Sequence, residues 1–448
     1  MTQEEIISKA PIKKAVAKMA IPSVISSLVT VIYNMADTFF VGQTGDSIQV
    51  AAVSLTNPCF ILMMAMSNIL GMGGSALISK FLGEKNSKKA GNASAFAFYG
   101  SIAVGLLLMA ILLIFTNPIL QLFGADSSTL ADARGYVIYI AIGAPFIIWS
   151  AAASFIVRAT GASKEAMIGN IIGTVLNIVL DPIFISGFGM GAAGAAIATV
   201  IGNAVASIYY VWFFICKDKV LTIAPVALKL RSHMNLDMIV IGLPTGIFSA
   251  LMSVSTIVLN QILLVYGNSA VAAIGIVFKA NMFIAFFQMG IANGVQPLLG
   301  YAFGAGDRDR FIGVEKYTKK ICIITGVLCT LLYFVLRSSI IQLFINDAEV
   351  IHYGVEMLVA YMLSGPFIGI LFMNMNLLQS VGKPFPSLLL SIMRQGVVLI
   401  PLLLILRVTV GYYGVIAGQS ISDYIAIICS IFWWNSCKKK IWKAREGL

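Results

Sequence analysis

Charged residues are scarce in this chain. Only 11% of its 448 residues are Asp, Glu, Lys or Arg, whereas 59% are hydrophobic, and the mean hydropathy is +0.93. Soluble domains carry about 25% charged residues, so this composition excludes an ordinary soluble protein. A membrane-spanning helix needs about 20 apolar residues. Twelve segments satisfy this requirement, near 17–41, 50–78, 93–117, 133–158, 167–187, 192–215, 238–266, 270–300, 317–340, 353–379, 387–408 and 412–436.

The chain also lacks the short motifs of common enzyme and energy-coupling sites. No GxxxxGK sequence followed by Ser or Thr is present, so we do not expect ATP to be the direct energy source. The six cysteines form no CxxC pair and no metal-ligand spacing, which favours small buried apolar residues. A DDxxD-like cluster, as an intramembrane prenyl transferase would need, is missing as well. We therefore expect a non-enzyme without cofactors, and no metal apart from a coupling Na⁺.

The positive charges are unevenly distributed. The net charge is +11, and 25 of the 30 Lys and Arg residues fall in alternate connections between the apolar segments and near the two ends of the chain. Intervening loops such as 43–50 and 186–191 hold none. Because basic loops stay on the cytoplasmic side, we expect both termini in the cytoplasm and the protein in the cell membrane of a bacterium or archaeon. The lipid bilayer, and not a nucleic acid, accounts for the net charge.

The sequence repeats once, and the second copy begins near the middle of the chain. Ile21-Pro22 corresponds to Leu243-Pro244, and the turn Arg158–Gly161 corresponds to Gln379–Gly382. Each half holds six spans, so the halves share one orientation and are related by an axis along the membrane normal. We predict an all-α integral membrane protein with twelve transmembrane helices in two pseudo-symmetric six-helix lobes around a central cleft. The N-lobe is assigned to 1–215, a basic cytoplasmic linker to 216–237 and the C-lobe to 238–448.

Two carboxylates lie inside apolar segments of the first half. Asp37, Asp181 and Thr199 lie five, six and eight residues from glycines that mark the outer breaks of their segments, Gly42, Gly187 and Gly191. At 1.5 Å per residue, all three are roughly 7–12 Å below the outer surface. A charge in hydrocarbon is costly and usually marks an ion, proton or substrate path. Helical spacing adds further polar groups on the same faces, namely Asn34, Thr174, Asn177 and Asn203.

Carboxylate, amide and hydroxyl oxygens at one depth in the membrane can together bind a cation. Na⁺ requires several oxygen ligands, whereas a proton can be shared by two carboxylates that cannot both stay ionised cheaply. We predict a cation-binding site at Asp37, Asn177, Asp181 and Thr199, equally suited to H⁺ and Na⁺. The alternative, that the carboxylates only hold the helix bundle together, is disfavoured because the corresponding positions of the second half are uncharged. Pro182, and more weakly Pro22, are predicted hinges.

The second half has charges of its own. Lys279 and Asp423 lie at similar depth, which permits an ion pair between them, and such a buried pair often serves packing alone. Methionine and aromatic side chains adapt to varied ligands and suit a pliable cleft wall. The weak candidates for that wall are Met35, Phe155, Met252, Met282 and Gln288.

Several of these elements resemble the multidrug and toxic compound extrusion (MATE) family. They are Ile21-Pro22, the run Tyr33–Gly42, the Arg158–Gly161 turn and the pair Asn177 and Asp181-Pro182. The resemblance spans essentially the whole chain. It implies a fold of the MOP superfamily and places the predicted cation site in the N-lobe, as in the DinF-like branch. Some related exporters have an acidic residue one turn before the Arg-Ala-x-Gly turn, where this chain has Ser154.

The resemblance implies a secondary active antiporter that exports cationic amphipathic drugs or toxins in exchange for H⁺ or Na⁺. Two lobes around a cleft fit alternating access by rocking, and the fold can work as a monomer. A flippase for a lipid-linked saccharide, on a related fold, is the main alternative. It would favour a strongly cationic cleft to hold pyrophosphate, and few central positions are basic. A channel fits a kinked, duplicated bundle less well.

Overall fold

A computed structural model describes residues 3–42, 47–127, 129–229 and 233–446. Within these ranges the chain is helical apart from short connections, and it contains no strand. This confirms the predicted fold class. The first loop at 43–46 and residues 230–232 of the predicted linker lie outside the described residues.

The N-lobe consists of a short first helix, six long helices and one short helix in a loop. Its elements are α1 (Gln3–Ser8), α2 (Ile12–Gly42), α3 (Ser47–Gly83), α4 (Ser87–Ile114), α5 (Thr116–Leu122), α6 (Leu130–Ala159), α7 (Ser163–Pro182) and α8 (Gly191–Cys216). The six long helices are each apolar enough to cross a bilayer. They account for the six spans predicted in the first half.

The C-lobe follows after a connection that holds only a 3₁₀ turn in its described part, Pro225–Ala227. Its elements are α9 (His233–Leu263), α10 (Asn268–Ala305), α11 (Arg308–Gln342), α12 (Ala348–Met362), α13 (Gly365–Ser380), α14 (Pro384–Ile392), α15 (Leu399–Thr409) and α16 (Tyr412–Glu446). The helices α12 and α13 form one span with a 50° bend, and a π-helical turn at Met393–Val397 joins α14 to α15. Counted this way, the described residues contain the twelve predicted spans.

Two predicted hinge prolines have different surroundings. Pro22 lies inside α2, which continues through it as one helix. Pro182 is the last residue of α7, and a π-helical turn follows at Ile183–Gly187. Proline cannot donate the next helical hydrogen bond, and π turns in helices are frequent at functional sites. The backbone therefore departs from α geometry directly after Pro182, the residue that follows Asp181.

The two lobes touch near the end of the helices that carries α1, the α3–α4 turn and the α10–α11 turn. We call this the basic end. There Gly294 of α10 packs on α2, so that a Cβ atom added to it would lie 2.7 Å from the carbonyl oxygen of Met19. Gly290, one turn away, meets Val24 of α2 in the same way, and Gly304 meets the backbone of Lys80 in α3. These contacts join backbone to backbone across the lobe boundary because glycine has no side chain.

The helix α1 lies across both lobes at the basic end. Its last turn is bound by Arg310 of α11, whose guanidinium donates to the carbonyl oxygens of Ile6, Ile7 and Ala10 at 3.3, 2.9 and 2.9 Å. On the other lobe, Gly161 adopts a left-handed conformation (φ 90°) and approaches the backbone of α1. A helix end leaves its last carbonyl groups without intrahelical partners, and Arg310 satisfies them.

Candidate functional site

The predicted cation site is organised by a close approach of α7 and α8. A Cβ atom at Gly173 would lie 2.8 Å from the carbonyl oxygen of Gly202, and one at Gly202 would lie 2.5 Å from that of Gly173. Only glycine permits such an approach of two helix backbones. One turn further along α7, Asn177 reaches α8, and its amide donates to the hydroxyl of Thr199 at 3.2 Å.

Thr199 connects three helices of the N-lobe. Besides accepting from Asn177, its hydroxyl is hydrogen-bonded to that of Tyr33 in α2 at 3.1 Å. The amide of Asn203 donates to the Thr199 carbonyl at 2.8 Å, and its oxygen accepts from Ser150 of α6 at 2.7 Å. The site is thus held in place by hydrogen bonds from α2, α6, α7 and α8.

The carboxylates have no such partners among the described residues. Asp181 is completely buried, and neither of its oxygens has a hydrogen-bond donor within reach in that part of the chain. The Oδ1 atoms of Asp37 and Asn177 are also buried without a donor there. The carboxylates of Asp37 and Asp181 are close enough to interact electrostatically with each other, and each also interacts electrostatically with the hydroxyl of Tyr136. Buried polar atoms almost always have a partner, so this group of acceptor oxygens calls for a proton or a cation.

Other predicted polar residues lie at the edge of this site. Asn34 is half buried on α2, next to Tyr33, and Thr174 is half buried on α7. Tyr33, Tyr136 and Ser150 were not predicted. Tyr33 lies one helical turn before Asp37, and this spacing was a signal that could have identified it.

The predicted ion pair between Lys279 and Asp423 is wrong. Asp423 instead accepts from Arg394 at 2.7 Å, and it also accepts from Ser364 at 2.8 Å and Gln419 at 3.0 Å. Lys279 is exposed, whereas Asp423 is buried. Equal depth in the membrane does not make two side chains face each other, and the buried carboxylate pairs with the buried cation of a neighbouring helix.

Arg394 is itself enclosed by aromatic rings. Its guanidinium carbon lies 5.3 Å from the ring centre of Phe248 and 5.2 Å from that of Phe372. Both distances are within the range of a cation–π interaction. Since Asp423 is satisfied on both carboxylate oxygens, this group is a closed packing unit of the C-lobe.

One cavity at the lobe boundary is lined by residues other than those predicted for the cleft wall. This cavity between the lobes is lined by Met72, Met289 and Met375 together with aromatic and amide side chains, and none of the five predicted residues lines it. Gln288 is fully buried between α10 and α11, where its amide donates to the Cys322 carbonyl and the Thr325 hydroxyl. It therefore does not face the cleft.

The other four predicted wall residues are more accessible. Phe155 is half buried against Gly71 of α3, Met35 and Met282 are half buried, and the side chain of Met252 is exposed. The sequence predicts a methionine-rich wall, and three methionines line this cavity. Its members could not be chosen from the sequence because the rotation of each helix about its axis was unknown.

Comparison with known proteins places the chain in a family. The MatE family matches residues 22–183 and again residues 244–405, so each half of the chain matches the family separately. The multidrug export protein MepA of Staphylococcus saprophyticus is 32% identical over 423 residues, covering 94% of this chain and 93% of that protein.

Solved structures show the same fold. A crystal structure of a MATE protein superposes with a TM-score of 0.94 at 24% identity, over 99% of this chain and all of that one. A MOP superfamily transporter from Pyrococcus furiosus gives a TM-score of 0.92 at 25% identity, over 98% of this chain and 99% of that one. The chain therefore belongs to the MatE family, the multidrug and toxic compound extrusion transporters that its sequence resembles.

Proposed function

We propose that this protein is a cation-coupled multidrug efflux antiporter. It exports cationic amphipathic compounds in exchange for H⁺ or Na⁺ that binds at Asp37, Asn177, Asp181 and Thr199. One observation carries the proposal: the oxygens of Asp181, with Oδ1 of Asp37 and of Asn177, are buried without donors among the described residues. The similarity to a multidrug export protein over 94% of the chain supports the substrate class.

Either coupling ion suits these ligands. Na⁺ is a hard cation that takes carboxylate, amide and hydroxyl oxygens, and all three types are present. A proton on one carboxylate would create a donor for its neighbour and remove one of two like charges. In both cases the bound ion offsets the cost of burying Asp181, so ion binding stabilises the conformation in which this group is shielded from water.

Transport requires that ion and drug prefer opposite conformations or compete for one of them, because a ligand with equal affinity for both shifts nothing. The lobe contact at the basic end, through Gly290, Gly294 and Gly304, describes one of the two conformations. In the proposed cycle this contact opens when the cleft is exposed to the other side. The π turn after Pro182 lies next to the ion ligands and is the place where ion binding bends α7.

The orientation follows from the basic loops. We place the basic end, and both termini with it, in the cytoplasm of a bacterial or archaeal cell. The transporter works as a monomer in this proposal, since the complete site lies within one N-lobe.

The proposal is tested with Asp181→Asn and Asp37→Asn. We expect both variants to lose drug efflux while they still reach the membrane, because an amide carries no charge for H⁺ or Na⁺ to neutralise. Efflux is measured in proteoliposomes with a Na⁺ gradient and a pH gradient imposed separately, which also identifies the ion. Asp309→Asn, at an exposed acidic residue of α11, is the matched control. Full efflux by both site variants would refute the assignment.

A further inference from the structure

Five charged side chains are buried in the described part of the chain. They are Arg158, Asp181, Glu315, Arg394 and Asp423. Arg394 pairs with Asp423, and Glu315 pairs with two lysines at 2.9 and 2.7 Å. Asp181 belongs to the proposed cation site. Arg158 is the remaining one, and no carboxylate in the described ranges forms an ion pair with it.

The described residues around Arg158 offer few hydrogen-bond acceptors to its charged guanidinium group. Its side chain makes one hydrogen bond to a described residue, from Nη2 to the hydroxyl of Ser154 at 3.4 Å, and its buried Nε has no acceptor in that part of the chain. The guanidinium carbon lies 5.4 Å from the ring centre of Phe155. Nε and Nη2 form one edge of the guanidinium, and this edge matches the two oxygens of a carboxylate.

A purely structural role does not account for this arrangement. Arg158 lies in the last turn of α6, where the helix dipole favours a cation. That stabilisation is small compared with the cost of a buried charge without a partner. Ser154 and Phe155, one turn earlier on the same face, are only half buried. The helix is therefore partly accessible one turn before Arg158.

We propose that Arg158 binds the carboxylate of a substrate. The Nε–Nη2 edge takes the carboxylate in place of the long Ser154 contact, and the Phe155 ring packs against the apolar part of the compound. This inference rests on the proposed function and narrows its substrate class: preferred substrates are amphipathic cations that also carry a carboxylate.

The position of Arg158 lets substrate and coupling ion bind at separate places. Arg158 is next to the turn that begins α7 at Ser163, and Asp181 is near the other end of α7. Asp181 lies eighteen positions after Ser163 along the helix, about 27 Å at the rise of an α-helix. A carboxylate at Arg158 therefore does not need to displace the ion, and the charge of the substrate is recognised near the basic end.

The test compares two probes that differ in one group. Rhodamine B is a zwitterion with a free carboxylate, and its ethyl ester is a cation of nearly the same shape. Binding of each to the purified full-length protein is followed by fluorescence polarisation. We expect the acid to bind about tenfold more tightly than the ester, as a charge-assisted hydrogen-bonded pair would give.

Ser154→Asp and Ser154→Asn form the matched pair of variants. The aspartate places a carboxylate one turn from Arg158 and occupies its free edge, so the preference for the acid is expected to disappear while ester binding persists. The asparagine has the same size without the charge and should keep the preference. Arg158→Gln should lose it as well, and retained ester binding shows that this variant is folded.

Three results would overturn the inference: equal or weaker binding of the acid by the wild type, equal acid-to-ester ratios in the two Ser154 variants, or no binding of either probe. Failure of the proposed function has a different signature. In that case the acid preference persists, but export of the ester in proteoliposomes does not depend on Asp181. Export of the ester that depends on Asp181, without any acid preference, refutes the inference alone.

Discussion

Gly294→Ala is expected to force the lobes apart at the basic end. The added Cβ atom would lie 2.7 Å from the Met19 carbonyl oxygen and 2.8 Å from both Cα of Ala20 and Cβ of Ser23. These are backbone or Cβ atoms of α2 and cannot rotate away. Ordinary contact begins at 3.4 Å, so α2 and α10 must separate by about 0.7 Å (3.4 − 2.7). Overpacking of this kind costs about 1–3 kcal/mol.

That cost applies to the conformation in which the lobes touch at the basic end and not to one in which they are separated. A difference of about 1–3 kcal/mol changes the ratio of two conformations roughly 5- to 150-fold. The contact described above would then lose its dominance, and the population open at the basic end should rise by that factor.

The populations can be measured by double electron–electron resonance between spin labels at Lys88 and Lys316. Both residues are exposed, at the basic ends of α4 in the N-lobe and α11 in the C-lobe. Labels are introduced in a background without the six native cysteines. We expect the distance distribution of Gly294→Ala to shift to longer values.

Gly275→Ala is the control, since Gly275 lies on the same helix and a Cβ atom there would meet nothing within 4 Å. A distribution for Gly294→Ala that matches the control would refute the reasoning that this contact closes the basic end.

Three further predictions concern the interior of the lobes. Gly202→Ala should push α8 from α7, because its Cβ atom would lie 2.5 Å from a backbone oxygen, and we expect weaker ion binding and slower export in proteoliposomes. Thr199→Val should reduce ion binding too, because it removes the hydroxyl that Asn177 and Tyr33 contact. Glu315→Gln should lower the free energy of unfolding by about 3 kcal/mol, seen as a lower Tm in detergent, because it leaves two lysine charges without their carboxylate.

Each of these has a conservative counterpart. Gly135→Ala adds a Cβ atom at an ordinary distance of 3.7 Å and should leave export unchanged, while Thr199→Ser should retain ion binding. Glu84→Gln removes a surface pair of 3.9 Å and should change Tm little. If either Gly202→Ala or Thr199→Val bound the ion as well as its counterpart, the contacts around Thr199 would not hold the site. An unchanged Tm for Glu315→Gln would mean that its ion pairs do not stabilise the fold.

Properties that depend on position along the membrane normal could be predicted from the sequence. The twelve spans follow from apolar length, and the internal repeat agrees with two separate family matches, one in each half of the chain. Asn177 and Thr199 lie at one depth on neighbouring helices that are joined by a short loop, and their side chains are hydrogen-bonded.

Properties that depend on the rotation of a helix about its axis could not be predicted from the sequence. Lys279 and Asp423 share a depth but face different directions, and Gln288 turns toward α11 and away from the cleft. The approach of Gly173 to Gly202 fixes which side of α7 meets α8, and glycine pairs of this kind are visible only once the helices are packed. The position of Tyr33, one turn before Asp37, is visible in the sequence, but its hydrogen bond to Thr199 is not, because that residue lies far along the chain.

The hydrogen bonds from Arg310 to the end of α1 have a practical consequence for experiments on this protein. Because α1 touches Gly161 of one lobe and Arg310 of the other, whatever is attached to the first residues sits at a mechanical junction. An affinity tag or fluorescent fusion at the N-terminus would disturb the contacts of α1 with the two lobes and alter how easily the lobes separate. Transport rates and conformational populations should therefore be compared only between preparations that carry their tags at the same terminus.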